Sequence, residues 1–317
     1  MKQCFVVAVA GLLLLLSGSV MARDPVLPEQ PKTLEIGDTI IELTFNSGDL
    51  ALSQSRLTQW IATSAQAVAD YYGTFPVPHL HLMITPVSGS RISGVSYAGE
   101  EPVLVIQVGD SVDEAALQED WVMVHEMVHL AFPPVHKRHH WIEEGLATYI
   151  EPLVRANAGL LSEEKVWLWW VNGLPNGLPE SADRGLDYTP TWGRTYWGGA
   201  LFCLLADIEI RQLTENRFAL HDSLKAILAA GGNMATKQIT PLSQVLEVAD
   251  KVTGETVLID LYEQMKAAPT EVDLDGLWQR LGVTVTGQQV IFNDAAPLAW
   301  LRRALTAGPA ARQTAIR

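Results

Sequence analysis

His125-Glu126-Met127-Val128-His129 sets two imidazoles and a carboxylate in an H-E-x-x-H motif. On an α-helix, residues i and i+4 lie about 40° apart around the axis. Both imidazoles can then reach one Zn2+ at about 2.0–2.1 Å. Glu126 follows the first imidazole by one residue, so it flanks the ion without ligating it. Zinc lowers the pKa of a water on it to about 7, and Glu126 is placed to take that water's proton. The motif in isolation also fits two hydrogen-bonded histidines on a core helix, so its surroundings matter.

The pattern around the motif predicts one helix over 111–132. Ser111 and Glu114 read as a capping box, and Pro133-Pro134 as the stop. Val122, Met127, Val128 and Leu130 supply an apolar face. A catalytic zinc site takes three protein ligands plus water, so a third ligand is required. The longer metzincin motif, with Gly three and His six residues past the second His, is excluded because Phe132 and Val135 stand there. His136, His139 and His140 lie beyond the Pro pair and read, with Lys137 and Arg138, as an exposed basic loop. The next helix, 140–151, offers Glu143 and Glu144, the latter 15 residues past His129.

That helix carries Trp141-Ile142-Glu143-Glu144-Gly145-Leu146-Ala147-Thr148-Tyr149. The segment resembles the W-x-x-E-G-x-A-x-Y of gluzincin zinc peptidases of the MA clan, the aminopeptidase N-like and glycyl-aminopeptidase-like enzymes. The resemblance implies a thermolysin-like zincin domain and makes Glu144 the third ligand to one Zn2+, with Glu143 an outer neighbour or an exposed carboxylate. Gly145 would let the ligand helix approach the metal helix. Arg194-Thr195-Tyr196-Trp197-Gly198-Gly199-Ala200, continuing to Asp207 and Arg211, is similar to a second helix of those enzymes. There the Tyr hydrogen-bonds the oxyanion, a role that falls to Tyr196, whose alternative is an aromatic of the cleft wall. Gly198 stands where the family often has Lys. A fainter match, Ala98-Gly99-Glu100-Glu101-Pro102, puts Glu100 where aminopeptidase N-like enzymes bind the substrate's amino group. An ordinary acidic turn reads equally well there. The resemblance covers roughly residues 95–215.

The rest of the chain must position these groups. Thr39–Phe45, Leu80–Thr85 and Pro102–Val108 read as strands, and 55–72 as a helix with Leu57, Ile61, Ala65, Val68 and Tyr72 on one stripe. Helical patterns continue over 162–171, 194–213, 220–230, 241–251, 255–267 and 296–306, with a strand pair near 281–292. The expected fold class is therefore α+β: a small mixed sheet plus active-site helices over 34–152, then a mostly helical part over 153–317 that completes a cleft. Five Trp (Trp167, Trp169, Trp170, Trp192 and Trp197) crowd a Gly/Pro-rich loop at 172–193, as a cleft rim or as a core beneath it.

Composition narrows the function classes. With 48% hydrophobic and 18% charged residues, a disordered chain is excluded. The formal charge of −14 disfavours nucleic acid and anionic lipid as partners. Two Cys in 317 residues exclude a disulfide scaffold. Residues 1–22 have a basic start, a short apolar centre and a small-x-small end, which predict a signal peptide cleaved after Ala22 and a periplasmic or extracellular protein; an uncleaved anchor is the alternative. Residues 23–33 are expected to be a flexible lead-in. The functional expectation is an exported zinc peptidase, aminopeptidase-like, with His125, His129 and Glu144 on the metal, Glu126 and Tyr196 catalytic, and Glu100 binding substrate. A zinc endopeptidase and a zinc-stabilised scaffold without turnover are the alternatives.

Overall fold

Apolar residues at every second position build the sheet. The computed structural model describes residues 32–307. It opens with β1 (Lys32–Ile36), β2 (Thr39–Phe45), α1 (Gln54–Tyr72), β3 (His79–Val87), β4 (Ile92–Tyr97) and β5 (Val103–Gly109). Strand order is β1-β2-β3-β5-β4. The central pairs β2/β3 and β3/β5 are parallel, and the outer pairs β1/β2 and β4/β5 antiparallel. Ile41, Leu43, Leu80, Leu82, Ile84, Leu104 and Ile106 face inward and are fully buried, as is the α1 stripe of Leu57, Ile61, Ala65 and Val68. α1 is capped at its start by the Ser53 hydroxyl, which accepts from the Arg56 amide at 3.2 Å, and at its end by Gly73 with φ 82°.

Helices dominate the remainder. α2 (Glu114–Glu119), α3 (Val122–His129), α4 (His140–Asn157), α5 (Glu163–Gly173), α6 (Gly199–Leu213) and α7 (Leu220–Ala229) follow the sheet. Then come α8 (Leu242–Thr253), α9 (Val257–Met265), α10 (Leu274–Leu281), the hairpin of β6 (Val283–Thr286) and β7 (Gln289–Phe292), and α11 (Ala299–Thr306). A mixed five-stranded sheet followed by a mostly helical part is the α+β class the sequence indicates. The expected division at 152/153 falls inside α4, and the described residues belong to one compact unit. No helix among the described residues is long and apolar enough to cross a membrane.

Several expectations need correction. The single helix over 111–132 is two, because Asp120 is extended (φ −62°, ψ 133°) and separates α2 from α3. The capping box on Ser111 does not form. Asp113 caps α2 by accepting from the Ala116 amide at 2.9 Å, while Ser111 bonds the Gly89 carbonyl and Glu114 pairs with Arg56. Lys32 and Thr33, placed in a flexible lead-in, belong to β1 and pair with Leu43 and Glu42. The signal peptide and the rest of the lead-in lie outside the described residues. β4 was not foreseen, since an edge strand containing Gly94 and two Ser gives little alternation to read.

Candidate metal centre

The helix that carries the motif is short, and two carboxylate oxygens start it. Asp120 Oδ1 and Oδ2 accept from the Val122 and Met123 amides, each at 3.1 Å. Burial pushes the Asp120 carboxyl up to about 6, against those two amide bonds. α3 presents His125 and His129 side by side, their ring centroids 4.8 Å apart. α4 packs across it, its start held by Asp187, which accepts from Trp141 Nε1 at 2.9 Å. This brings Glu144 Oε2 to 3.2 Å from His125 Nε2 and 3.6 Å from His129 Nε2.

The donor set fits zinc. Four ligands at about 2.0–2.1 Å in a tetrahedron are about 3.3 Å apart, and the separations above are of that size. Two imidazoles and one carboxylate also match zinc's ligand preference. Glu144 would therefore hold the ion together with His125 and His129.

Burial sets the charges of the metal-free groups. It pulls the His125 imidazole down and pushes the Glu126 carboxyl up. At His129 and Glu144 burial is outweighed: hydrogen bonding and charge from Glu144 raise the His129 pKa, and hydrogen bonds from His125 and then His129 hold Glu144 well below the usual carboxylate range. Tyr196 is pushed up to about 12, first by burial and then by the charges of Glu144 and Glu126. It is a neutral phenol, hence a donor, at any ordinary pH.

These groups line one cavity of about 470 Å3, together with Ile92–Ser96 of β4, Trp121, His140, Glu143 and Met234. Tyr196 reaches it from a turn of π-helix, Gly193–Gly198, that leads into α6. Such wide turns are rare and gather at functional sites. Arg194, in the same turn, pairs with Asp183 at 2.7 Å, both side chains buried, which ties the turn to the preceding loop.

Two glycines allow the approach. A Cβ on Gly145 would stand 2.3 Å from the Gly199 backbone. Gly145 therefore serves the contact of α4 with α6, and the expectation that it faces the metal helix is corrected. A Cβ on Gly94 would meet Glu126 Cγ at 2.5 Å, so the edge strand needs glycine to let the base sit beside it. Ser96, on the same strand, hydrogen-bonds Glu126.

His125, Glu126, His129, Glu144 and Tyr196 thus come together, and Glu100 does not. It is exposed and outside the cavity lining. The exposed-loop reading holds for His136, and His140, although it opens α4, is exposed as well. His139 is buried, bonded through Nδ1 to Asp187 at 2.8 Å, and His140 lines the cavity, its Nε2 3.3 Å from Glu144 Oε1. The five Trp divide. Trp167 and Trp170 are core, while Trp169 and Trp192, 42% and 63% exposed, and the buried Trp197 line a second cavity of about 770 Å3. The two cavities share Trp121, His125 and Tyr196. Ser96, Gly94, Trp121 and His140 are site residues that the sequence reading missed.

The fold has solved counterparts. It matches an aminopeptidase N family protein from Idiomarina loihiensis with a TM-score of 0.61 at 15% identity, covering 81% of this chain and 49% of that one. A point variant of an M1 zinc metallopeptidase from Deinococcus radiodurans gives a TM-score of 0.50 at 15% identity, covering 77% and 52%. The chain is thus related in fold to the aminopeptidase N-like gluzincins, and it spans about half the length of these counterparts. No protein-family model and no curated protein matches the sequence.

Proposed function

We propose that the chain is a zinc-dependent peptidase that cleaves peptide bonds hydrolytically. The observation that carries this reading is the convergence of three ligand atoms, a buried carboxylate and a neutral phenol on one cavity. Zinc held there by His125, His129 and Glu144 supplies a Lewis acid and a water of lowered pKa. Glu126 takes the proton from the attacking water and later hands it to the leaving amine. Its raised pKa suits both steps, since a base nearer neutrality also returns the proton readily. The Tyr196 hydroxyl donates to the carbonyl oxygen as negative charge develops on it.

The edge strand supports an extended peptide as substrate. Among the described residues β4 pairs with β5 alone, and its Ile92–Ser96 stretch borders the cavity, which offers an extended peptide a backbone edge to pair with. Glu100 is exposed and outside the cavity lining, which favours cleavage within peptides over the aminopeptidase reading. Matched peptides with free and acetylated N-termini test this. Equal rates support endopeptidase action. Cleavage of free peptides alone restores the aminopeptidase reading and makes Glu143, on the cavity wall, the carboxylate to substitute. Absence of turnover on broad peptide libraries, with zinc bound, would leave a zinc-stabilised scaffold.

Export is part of the proposal and rests on residues 1–22. N-terminal sequencing of the protein from its native cell should begin at Arg23.

A further inference from the structure

A second set of metal-ligating side chains lies on the outer face of the sheet, away from the cavity. His79 and His81 are two apart on β3 and therefore project to one face. In the parallel pairing, Glu42 of β2 lies beside His81. Glu42 Oε1 is 3.2 Å from His79 Nε2, and its Oε2 is 3.2 Å from His81 Nδ1. Glu101, two residues before β5, reaches the other nitrogen of the same ring, its Oε2 3.1 Å from His81 Nε2. One ligand atom from each of Glu42, His79 and His81 lies within 4.8 Å of the others.

The arrangement around His81 calls for a cation. A neutral imidazole has one N–H and one lone pair, yet both nitrogens of His81 face a carboxylate oxygen. One of those contacts sets a lone pair against a negative charge unless a positive charge stands between them. Either a proton on the ring or a metal ion meets that requirement. The geometry points to a divalent ion of the zinc type, bound by His79 Nε2, His81 Nδ1 and the Glu42 carboxylate. Each imidazole lies 3.2 Å from a different oxygen of Glu42, close to the roughly 3.3 Å edge of a tetrahedral zinc site, so the carboxylate spans the two rings. Glu101 then has the part that an outer carboxylate plays at many metal sites: it accepts from Nε2–H and so holds the Nδ1 lone pair on the ion. His79 has no such support, since its Nδ1 is buried without a hydrogen-bond partner. His81 is therefore the stronger ligand. All three ligands are half-buried, so the ion exchanges with solvent and pins β2 to β3.

The test counts zinc in two backgrounds. The full chain is stripped with chelator, dialysed against Zn2+ and assayed by mass spectrometry for metal per chain. Adding His81→Ala should lower the count by one in wild type, and again in Glu144→Ala, where the cavity site is already impaired. The difference is thus read independently of the cavity. Circular dichroism confirms that the variants remain folded. Glu101→Gln should keep the count at saturating zinc and weaken the affinity about 10–100-fold. A count unchanged by His81→Ala in both backgrounds overturns the proposal. So does an NMR titration in which the His81 ring carries its proton at neutral pH with zinc present.

Discussion

Two sets of two imidazoles and a carboxylate occur in this molecule, and they differ in what surrounds them. On α3 and α4, the His125, His129 and Glu144 side chains are 6%, 10% and 12% exposed, and they share a cavity with the Glu126 carboxyl and the Tyr196 phenol. On β2 and β3, the Glu42, His79 and His81 side chains are 34%, 24% and 34% exposed on an open sheet face. Ligand spacing is similar: one Glu144 oxygen lies 3.2 and 3.6 Å from its two imidazoles, and each Glu42 oxygen lies 3.2 Å from one imidazole. Affinity for an ion needs only that spacing. Hydrolysis needs more: a carboxylate whose pKa is raised by burial, a donor where charge develops, and a wall against which a peptide can lie. The helical set has all three.

The contrast can be broken most severely at Glu126. Glu126→Gln should retain zinc in the cavity and reduce kcat by about 100- to 10,000-fold, the range of general acid–base catalysis. Loss of zinc instead would make Glu126 a ligand. Tyr196→Phe should come next, with kcat lower by about 100- to 1,000-fold and little change in KM, the effect of removing one oxyanion donor. An equal rise in KM would demote Tyr196 to a wall residue. Gly145→Ala should act on the scaffold. Forcing a methyl into the α4–α6 contact costs about 1–3 kcal/mol, read as a lowered Tm, and it should reduce turnover by moving Glu144 and Tyr196 apart. A variant with full stability would show that the helices can separate freely.

The mildest test is the pH profile. Glu126 works as a base only when deprotonated, and burial raises its pKa above the ordinary 4.5. Activity should thus be lost on acidification at a pH above that value, and Glu126→Gln should show no such limb in its residual rate. Tyr196, pushed up to about 12, should contribute no alkaline limb below that pH. A profile flat down to the ordinary carboxylate range would mean that Glu126 is solvated in the working enzyme.

How much of this was legible in the chain varies by element. The α1 stripe was readable because period 3.6 is a local property, and so were the inward residues of β2, β3 and β5. β4 was not, although it supplies the wall beside Glu126, because Gly94 and Ser96 are chosen for what approaches them rather than for alternation. The three loop histidines looked alike in sequence. His139 stands apart because Asp187, 48 residues away, is folded against it, and His140 because the start of α4 places it on the cavity.

The sequence by itself showed the H-E-x-x-H motif, and its resemblance to the gluzincins pointed to Glu144 and Tyr196, since each stands in a pattern of residues close along the chain. It also carried the strand pattern that makes a sheet. Which neighbours Gly145 and Gly94 serve, that Glu100 stays outside, and that His79 and His81 meet Glu42 were decided only by tertiary structure. Those facts depend on strand register and helix packing, which bring together groups tens of residues apart and are set by the burial of the whole core.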